Sequence, residues 1–298
     1  MKTNIVLRPG EFTSFTSYYL EPFWNRYFDI KQYDSRATYY NTNTLFVVWW
    51  QNADDEYSKD LRDRGFKVIV DNLWEVSTSR TDYYWLENSN WCWYNESLWW
   101  RSLGYHQYIP NKQYSKLALM PIRRQDRTRD QIVNKLGPVL DNFIWSYRDK
   151  KLPNDINSTN NGYQRFFNPE WYDNTYFSTV VETHQHGSCY WPTDKTFKPC
   201  AYYHPFLLIG QHHTLKKLRQ MGFETYDNIF DESYDDIVDF DLRFDAVIQN
   251  IKNFSRTSYD TQTQKKLQHN HDHFFDRDLV ESKIVSEIIE PLLHHAET

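Results

Sequence analysis

Leu45-Phe46-Val47-Val48-Trp49-Trp50, the charged stretch Asp54–Arg64, Gly65, and then Phe66-Lys67-Val68-Ile69-Val70 form the passage that decides the fold. An apolar run without alternation is the mark of a strand covered on both faces. The charged stretch predicts a helix, and Gly65 stands where a helix is terminated by a residue of left-handed conformation. A second β-branched run follows at once. Strand, helix and strand joined this closely imply a parallel pair with a crossover helix.

The same alternation extends in both directions. Upstream, Asn4–Leu7 reads as a strand, Arg8-Pro9-Gly10 as a turn and Tyr18–Ile30 as a helix. Trp91–Trp100 is aromatic and shows no decisive period, and Tyr105–Ile109 is a candidate strand. Downstream, strands are predicted over Lys116–Ile122, Phe143–Tyr147, Tyr176–Val181, Pro205–Ile209 and Phe223–Tyr226. Helices are predicted over Asp126–Leu140, Asp194–Tyr203, Thr214–Met221 (closed by Gly222), Asp239–Phe254 and Asp276–His295. Lys150–Gly162, rich in Asn, Asp, Pro and Ser, is a loop. Two runs of alternation predict an α/β protein of two Rossmann-like lobes facing a cleft. The expected division is 1–112, 113–275 and a terminal helix 276–298 able to pack back on the N-terminal lobe.

Composition narrows the function classes. Of 298 residues, 54 are aromatic and only 8 are Gly, which argues against a nucleotide site built on a glycine-rich loop. The 34 basic and 40 acidic side chains leave a net charge of −6, so nonspecific wrapping of nucleic acid is disfavoured. Three cysteines without CxxC spacing exclude a zinc knuckle or disulfide framework as the organising element. Met1–Gly10 lacks the character of a secretory leader and no apolar run is long enough to span a membrane, so a cytoplasmic protein is expected. The N-x-S/T triplets at Asn95, Asn157 and Asn253 then carry no information.

Two segments carry candidate chemistry. In Pro192-Thr193-Asp194-Lys195-Thr196-Phe197-Lys198-Pro199, Thr193 is a good helix N-cap, but a lysine in the first turn opposes the helix dipole unless an anion compensates. A diphosphate would do so, with Lys195 and Lys198 as partners and Asp194 accepting from a ribose diol. An ordinary solvated helix start would look the same. In Arg123-Arg124-Gln125-Asp126-Arg127-Thr128-Arg129, guanidinium groups gather at the carboxyl end of a strand, where open α/β sheets bind ligands. A salt-bridged surface loop, or contact with a nucleic-acid backbone, would use the same residues.

Thr193–Pro199, Pro205–Gly210, Leu215–Tyr226, Asp231–Asp235 and Arg243-Phe244 together resemble the donor-binding half of GT-B glycosyltransferases. The likeness is to the fucosyltransferase-like ones and related tailed-phage proteins, and it covers roughly 116–251. The family's usual Thr-Glu-Lys is here Thr193-Asp194-Lys195, one methylene shorter. The resemblance implies a metal-independent enzyme using a UDP- or GDP-type sugar as donor substrate, with no further cofactor. It places Lys195 and an arginine among Arg123, Arg124 and Arg127 on the diphosphate, and Asp194 on the ribose.

Asp239-Phe240-Asp241 has the D-x-D spacing of metal-dependent transferases, but it opens an acidic helix and is better explained by charge complementarity there. His269-x-His271-x-His273 has no supporting ligand of fixed spacing, and His184-x-His186 is a weaker candidate substrate contact. An inverting transfer needs a carboxylate base, for which Glu11 and Glu75, each following an early strand, are the candidates. The expected activity is transfer of a sugar to a hydroxyl acceptor, either a hydroxymethylated pyrimidine in phage DNA or a glycan. The alternative is a noncatalytic carbohydrate- or nucleic-acid-binding protein using Trp49-Trp50, Trp91, Trp93 and Trp99-Trp100 as a stacking surface.

Overall fold

The computed structural model describes residues 2–7, 21–32, 44–49, 56–72, 84–87, 90–153, 168–186 and 192–298. The chain divides into two compact units, one built chiefly from Met1–Ser102 and Asp276–Thr298, the other from Leu103–Gly187 and Pro192–Phe275. Among the described residues no helix is long and apolar enough to cross a membrane.

The first unit begins β1 (Thr3–Leu7), α1 (Glu21–Tyr27), β2 (Phe28–Gln32), β3 (Leu45–Trp49), α2 (Glu56–Asp63), β4 (Lys67–Asn72), β5 (Tyr84–Glu87) and α3 (Trp91–Ser102). Its sheet is parallel in the order β2-β1-β3-β4-β5. Val6, Phe46, Val48, Val68 and Val70 pack against Leu61 of α2, while Ile5, Leu7, Val47 and Ile69 are buried as well. The continuous apolar runs are therefore covered on both faces, as parallel strands require. The helix expected to run to Ile30 ends at Tyr27, because Phe28-Asp29-Ile30-Lys31-Gln32 alternates with the period of a strand and pairs with β1. Trp91–Trp100 is helical and lacks a period because α3 is buried all round, Trp93 and Trp100 completely.

The second unit contains β6 (Lys116–Pro121), α4 (Arg127–Leu136), β7 (Phe143–Ser146), α5 (Pro169–Asp173), β8 (Thr175–Val181), α6 (Asp194–Ala201), β9 (Phe206–Ile209), α7 (Thr214–Gln220), α8 (Phe240–Asn253) and α9 (Thr261–Phe275). Its sheet is parallel in the order β7-β6-β8-β9. Tyr105–Gln107 is a single 3-10 turn rather than a strand. Phe223–Tyr226 is not a strand either. The Asn270 side chain accepts from the Glu224 N–H at 2.7 Å and donates to the Glu224 carbonyl at 2.9 Å, so both groups that a ladder would use are taken. Asn270 belongs to α9, whose buried residues Thr263, Leu267, Asn270, His271 and Phe274 recur at helical spacing but are largely polar.

The chain then returns to the first unit through α10 (Arg277–Ile284) and α11 (Glu290–Glu297), joined by a π-helical turn over Val285–Ile289. Pro291 has no N–H to offer the Glu287 carbonyl, and the turn before it widens. Val280, Ile284, Ile288, Ile289 and Leu292 are fully buried, and α10 packs on α3. Glu287 accepts hydrogen bonds from the Tyr94 hydroxyl and, at 3.0 Å, from Asn90. Lys67 Nζ donates to the carbonyls of His295 and Ala296 at 3.1 and 2.7 Å, a cation on the last turn of α11.

Gly65 and Gly222 both end helices at positive φ, 79° and 94°. Each does so with the same hydrogen-bond pair, Gly65 N–H to Arg62 O with Phe66 N–H to Leu61 O, and Gly222 N–H to Arg219 O with Phe223 N–H to Leu218 O. Their surroundings differ. A Cβ at Gly65 meets nothing within 4 Å, whereas one at Gly222 lies 2.7 Å from the His273 ring, which donates to Met221 O. Gly65→Ala is expected to cost about 1 kcal/mol, the conformational penalty alone. Gly222→Ala should cost clearly more, because His273 must also move. Urea denaturation of the two variants checks this, and equal losses would contradict it.

Candidate functional site

In the second sheet β6 passes to β7 on one side, and the next strand, β8, is added on the other, so the strand order reverses between β6 and β8. Pairing between β6 and β8 runs from Lys116↔Thr175 to Leu119↔Ser178. On their outer sides β6 stays paired with β7 through Pro121↔Ser146, and β8 with β9 through Val181↔Ile209. The two central strands thus part over their carboxyl ends, which is where open α/β sheets receive ligands.

A cavity of about 640 Å³ opens there, within the size range of a small-molecule site. Its inner wall is Ile122, Ser146, Tyr172, Ser178 and Val180, and its charged wall comprises Arg123, Arg124, Arg129, Asp194, Lys195 and Lys198. Both segments singled out in the sequence therefore line one cavity. Lys198 Nζ lies 2.7 Å and Lys195 Nζ 3.6 Å from the two oxygens of Asp194, which is almost fully buried. Lys195 Nζ also donates to the hydroxyls of Thr193 (2.9 Å) and Thr183 (3.1 Å).

No family model and no curated protein matches the sequence. Among solved structures, a crystal structure of an α1,3-fucosyltransferase aligns over 94% of this chain and 92% of that chain, with a TM-score of 0.52 and 10% identity. The chain shares that enzyme's fold. Crystal structures of α1,3-fucosyltransferase with GDP-fucose and with GDP align at TM-scores of 0.45 and 0.42, each at 12% identity, over 93% and 94% of this chain and 91% and 92% of those chains. Two parallel α/β units agree with the GT-B-like fold class read from the sequence.

The remaining candidates fall in different places. Arg127, in the first turn of α4, is exposed and does not line the cavity. Arg129 is buried, pairs with Asp126, and donates to the Glu182 carbonyl at 3.0 Å. Thr193 caps α6, and its own N–H and hydroxyl both donate to Glu182, at 2.9 and 2.6 Å. Burial lowers the His184 pKa, and Arg124, Arg129 and Lys195 act in the same direction. His186 packs on Phe240. His269 and His273 donate to the carbonyls of Gly222 and Met221, and His271 meets Tyr203. Among the described residues no group of three or more His, Cys, Asp or Glu could hold a metal ion. Asp239 caps α8 by accepting from Leu242 N–H at 2.9 Å, and Asp241 pairs with Lys135. Trp91, Trp93, Trp99 and Trp100 are buried, which removes them as a stacking surface. Glu11, Glu75, Trp50 and the Trp49 side chain lie outside the described residues.

Sequence reasoning passed over Glu182, Tyr172 and Ser178. Glu182 had a readable signal, a carboxylate directly after the apolar run Val180-Val181. Tyr172 and Ser178 had none, since their place follows from tertiary packing: the Ser178 hydroxyl meets the buried His204 ring at 2.8 Å.

Burial alone would raise the Asp194 pKa, but Lys198 and Lys195 outweigh it and lower it to about 2. A folded-state value below the unfolded one stabilises the fold above the unfolded pKa, and that contribution is lost as pH falls through the folded value. Asp194→Asn should therefore lose about 2 kcal/mol at pH 7. Its deficit should close between about pH 4 and pH 2. Denaturant unfolding of both proteins across that range tests the pairing, and a deficit independent of pH would refute it.

Proposed function

We propose that the chain is a glycosyltransferase that moves a sugar from a nucleotide-diphosphate sugar to a hydroxyl acceptor. The observation that carries this is the cavity at the β6/β8 parting, lined by Arg123, Arg124, Lys195 and Lys198, with both lysines on the Asp194 carboxylate, on a fold shared with an α1,3-fucosyltransferase. The cations of the charged wall suit a diphosphate, and the uncharged inner wall suits the less polar part of the ligand.

In this proposal Lys195 and the arginines Arg123 and Arg124 meet the diphosphate oxygens. Lys195 is the lysine that can exchange partners, because it is a third exposed and its contact with Asp194 is the longer one. Lys198 stays with Asp194 and keeps that carboxylate oriented toward the ribose. The acceptor hydroxyl gives its proton to a carboxylate and attacks the anomeric carbon. The bond from that carbon to the diphosphate oxygen breaks, and the nucleoside diphosphate leaves with the bonding pair, inverting the centre. The growing negative charge on the leaving group is what Lys195 and the arginines stabilise. Glu11 and Glu75 remain the candidate bases. Glu11 follows β1, the strand at which the order of the first sheet reverses. UDP- and GDP-type donors both fit this chemistry, as do hydroxymethylated DNA and glycan acceptors.

A ligand that binds only the folded protein raises its melting temperature, so a panel of UDP- and GDP-linked sugars should contain at least one that does. Silence across the panel at millimolar concentration would overturn the proposal. With a binding donor in hand, Lys195→Ala should weaken binding or turnover about tenfold to a hundredfold, the loss of one charge-assisted contact. Its stability should fall by less than that of Asp194→Asn, because Lys198 keeps the shorter contact with that carboxylate. Mass spectrometry of hydroxymethylcytosine DNA and of glycans after incubation with that donor identifies the acceptor.

A further inference from the structure

β8 ends at Val181, and the next side chain, Glu182, is 3% exposed. Its carboxylate accepts four hydrogen bonds. Oε1 takes Thr193 N–H at 2.9 Å and the Thr196 hydroxyl at 2.5 Å. Oε2 takes the Thr193 hydroxyl at 2.6 Å and Thr183 N–H at 3.0 Å. All four donors are neutral, and Glu182 itself does not line the cavity. Two of the residues it grips, Thr183 and Thr193, carry the hydroxyls that hold the ammonium of Lys195.

We infer that Glu182 is the positioning residue that aims Lys195 at the donor diphosphate, a role that rests on the proposed function. The carboxylate fixes the backbones of Thr183 and Thr193 on either side of the lysine. Their hydroxyls then hold Nζ at the cavity wall with its extended side chain already ordered, so less rotamer freedom is lost when phosphate oxygens arrive.

Calorimetric binding of pyrophosphate, UDP and GDP to the whole protein tests this. In Glu182→Gln the amide NH2, whichever oxygen it replaces, meets a backbone N–H that cannot accept, of Thr193 on one side or Thr183 on the other, and the substitution should weaken binding about fivefold to tenfold. In a Lys195→Ala background the same substitution should change affinity less than about twofold, because its effect passes through the lysine. Thr196→Val provides a second route should Glu182→Gln not fold. It removes one hydrogen bond to the carboxylate without touching Lys195, and should weaken binding about twofold to fivefold only when Lys195 is present. Equal losses with and without Lys195, or no loss in either variant, would overturn the role of Glu182 while leaving the donor site standing. A wild-type protein that binds none of the three probes would overturn the donor site and this role together.

Discussion

A parallel sheet whose strand order reverses cannot fill the space above its two central strands. The connection leaving one strand turns to one side, that leaving the other turns away, and no backbone covers the gap. Here the gap lies between β6 and β8, and the remainder of the second unit is arranged around it. The loop after β6 brings arginines to one side, and α6, which follows β8 in the chain, brings lysines to the other.

Like charges gathered in a crevice repel, so such a site needs internal counterions. Two carboxylates serve this end in the same way. Asp126 caps α4 through Arg129 N–H while pairing with the Arg129 side chain, and Asp194 opens α6 between Lys195 and Lys198. One arginine is thereby made structural, and its guanidinium supports the Glu182 carbonyl from beneath. Arg123, Arg124 and Lys195 line the cavity as well, with Arg124 Nε 3.8 Å from Asp126.

The central strands were legible because burial on both faces leaves uninterrupted apolar runs, and the ends of α2 and α7 because Gly65 and Gly222 mark left-handed turns. The Thr193 cap and the convergence of the basic loop on α6 were legible too, since strand ends and helix starts share one edge of an α/β sheet. Illegible elements were those whose pattern is polar or whose partner is remote. α9 buries Thr263, Asn270 and His271, residues that read as solvated. The segment 223–226 has strand-like composition, but Asn270, more than forty residues away, takes its backbone groups. The gap in the candidate site is of the same kind. Glu182 works only through residues that the fold returns to it, as at Thr193 and Thr196.

The placement of α10 and α11 bears on how the protein is made. The tryptophan-rich helix α3 is covered by residues that lie nearly two hundred positions later, such as Glu287 against Tyr94. On a ribosome, Trp93 and Trp100 would therefore emerge long before their cover exists, while every strand of the second sheet is translated in between. The first unit cannot close until α10 and α11 have been made, which leaves an apolar helix exposed to chaperones or to aggregation during that interval. A translation product interrupted before α10 would carry a finished second unit beside an unfinished first one.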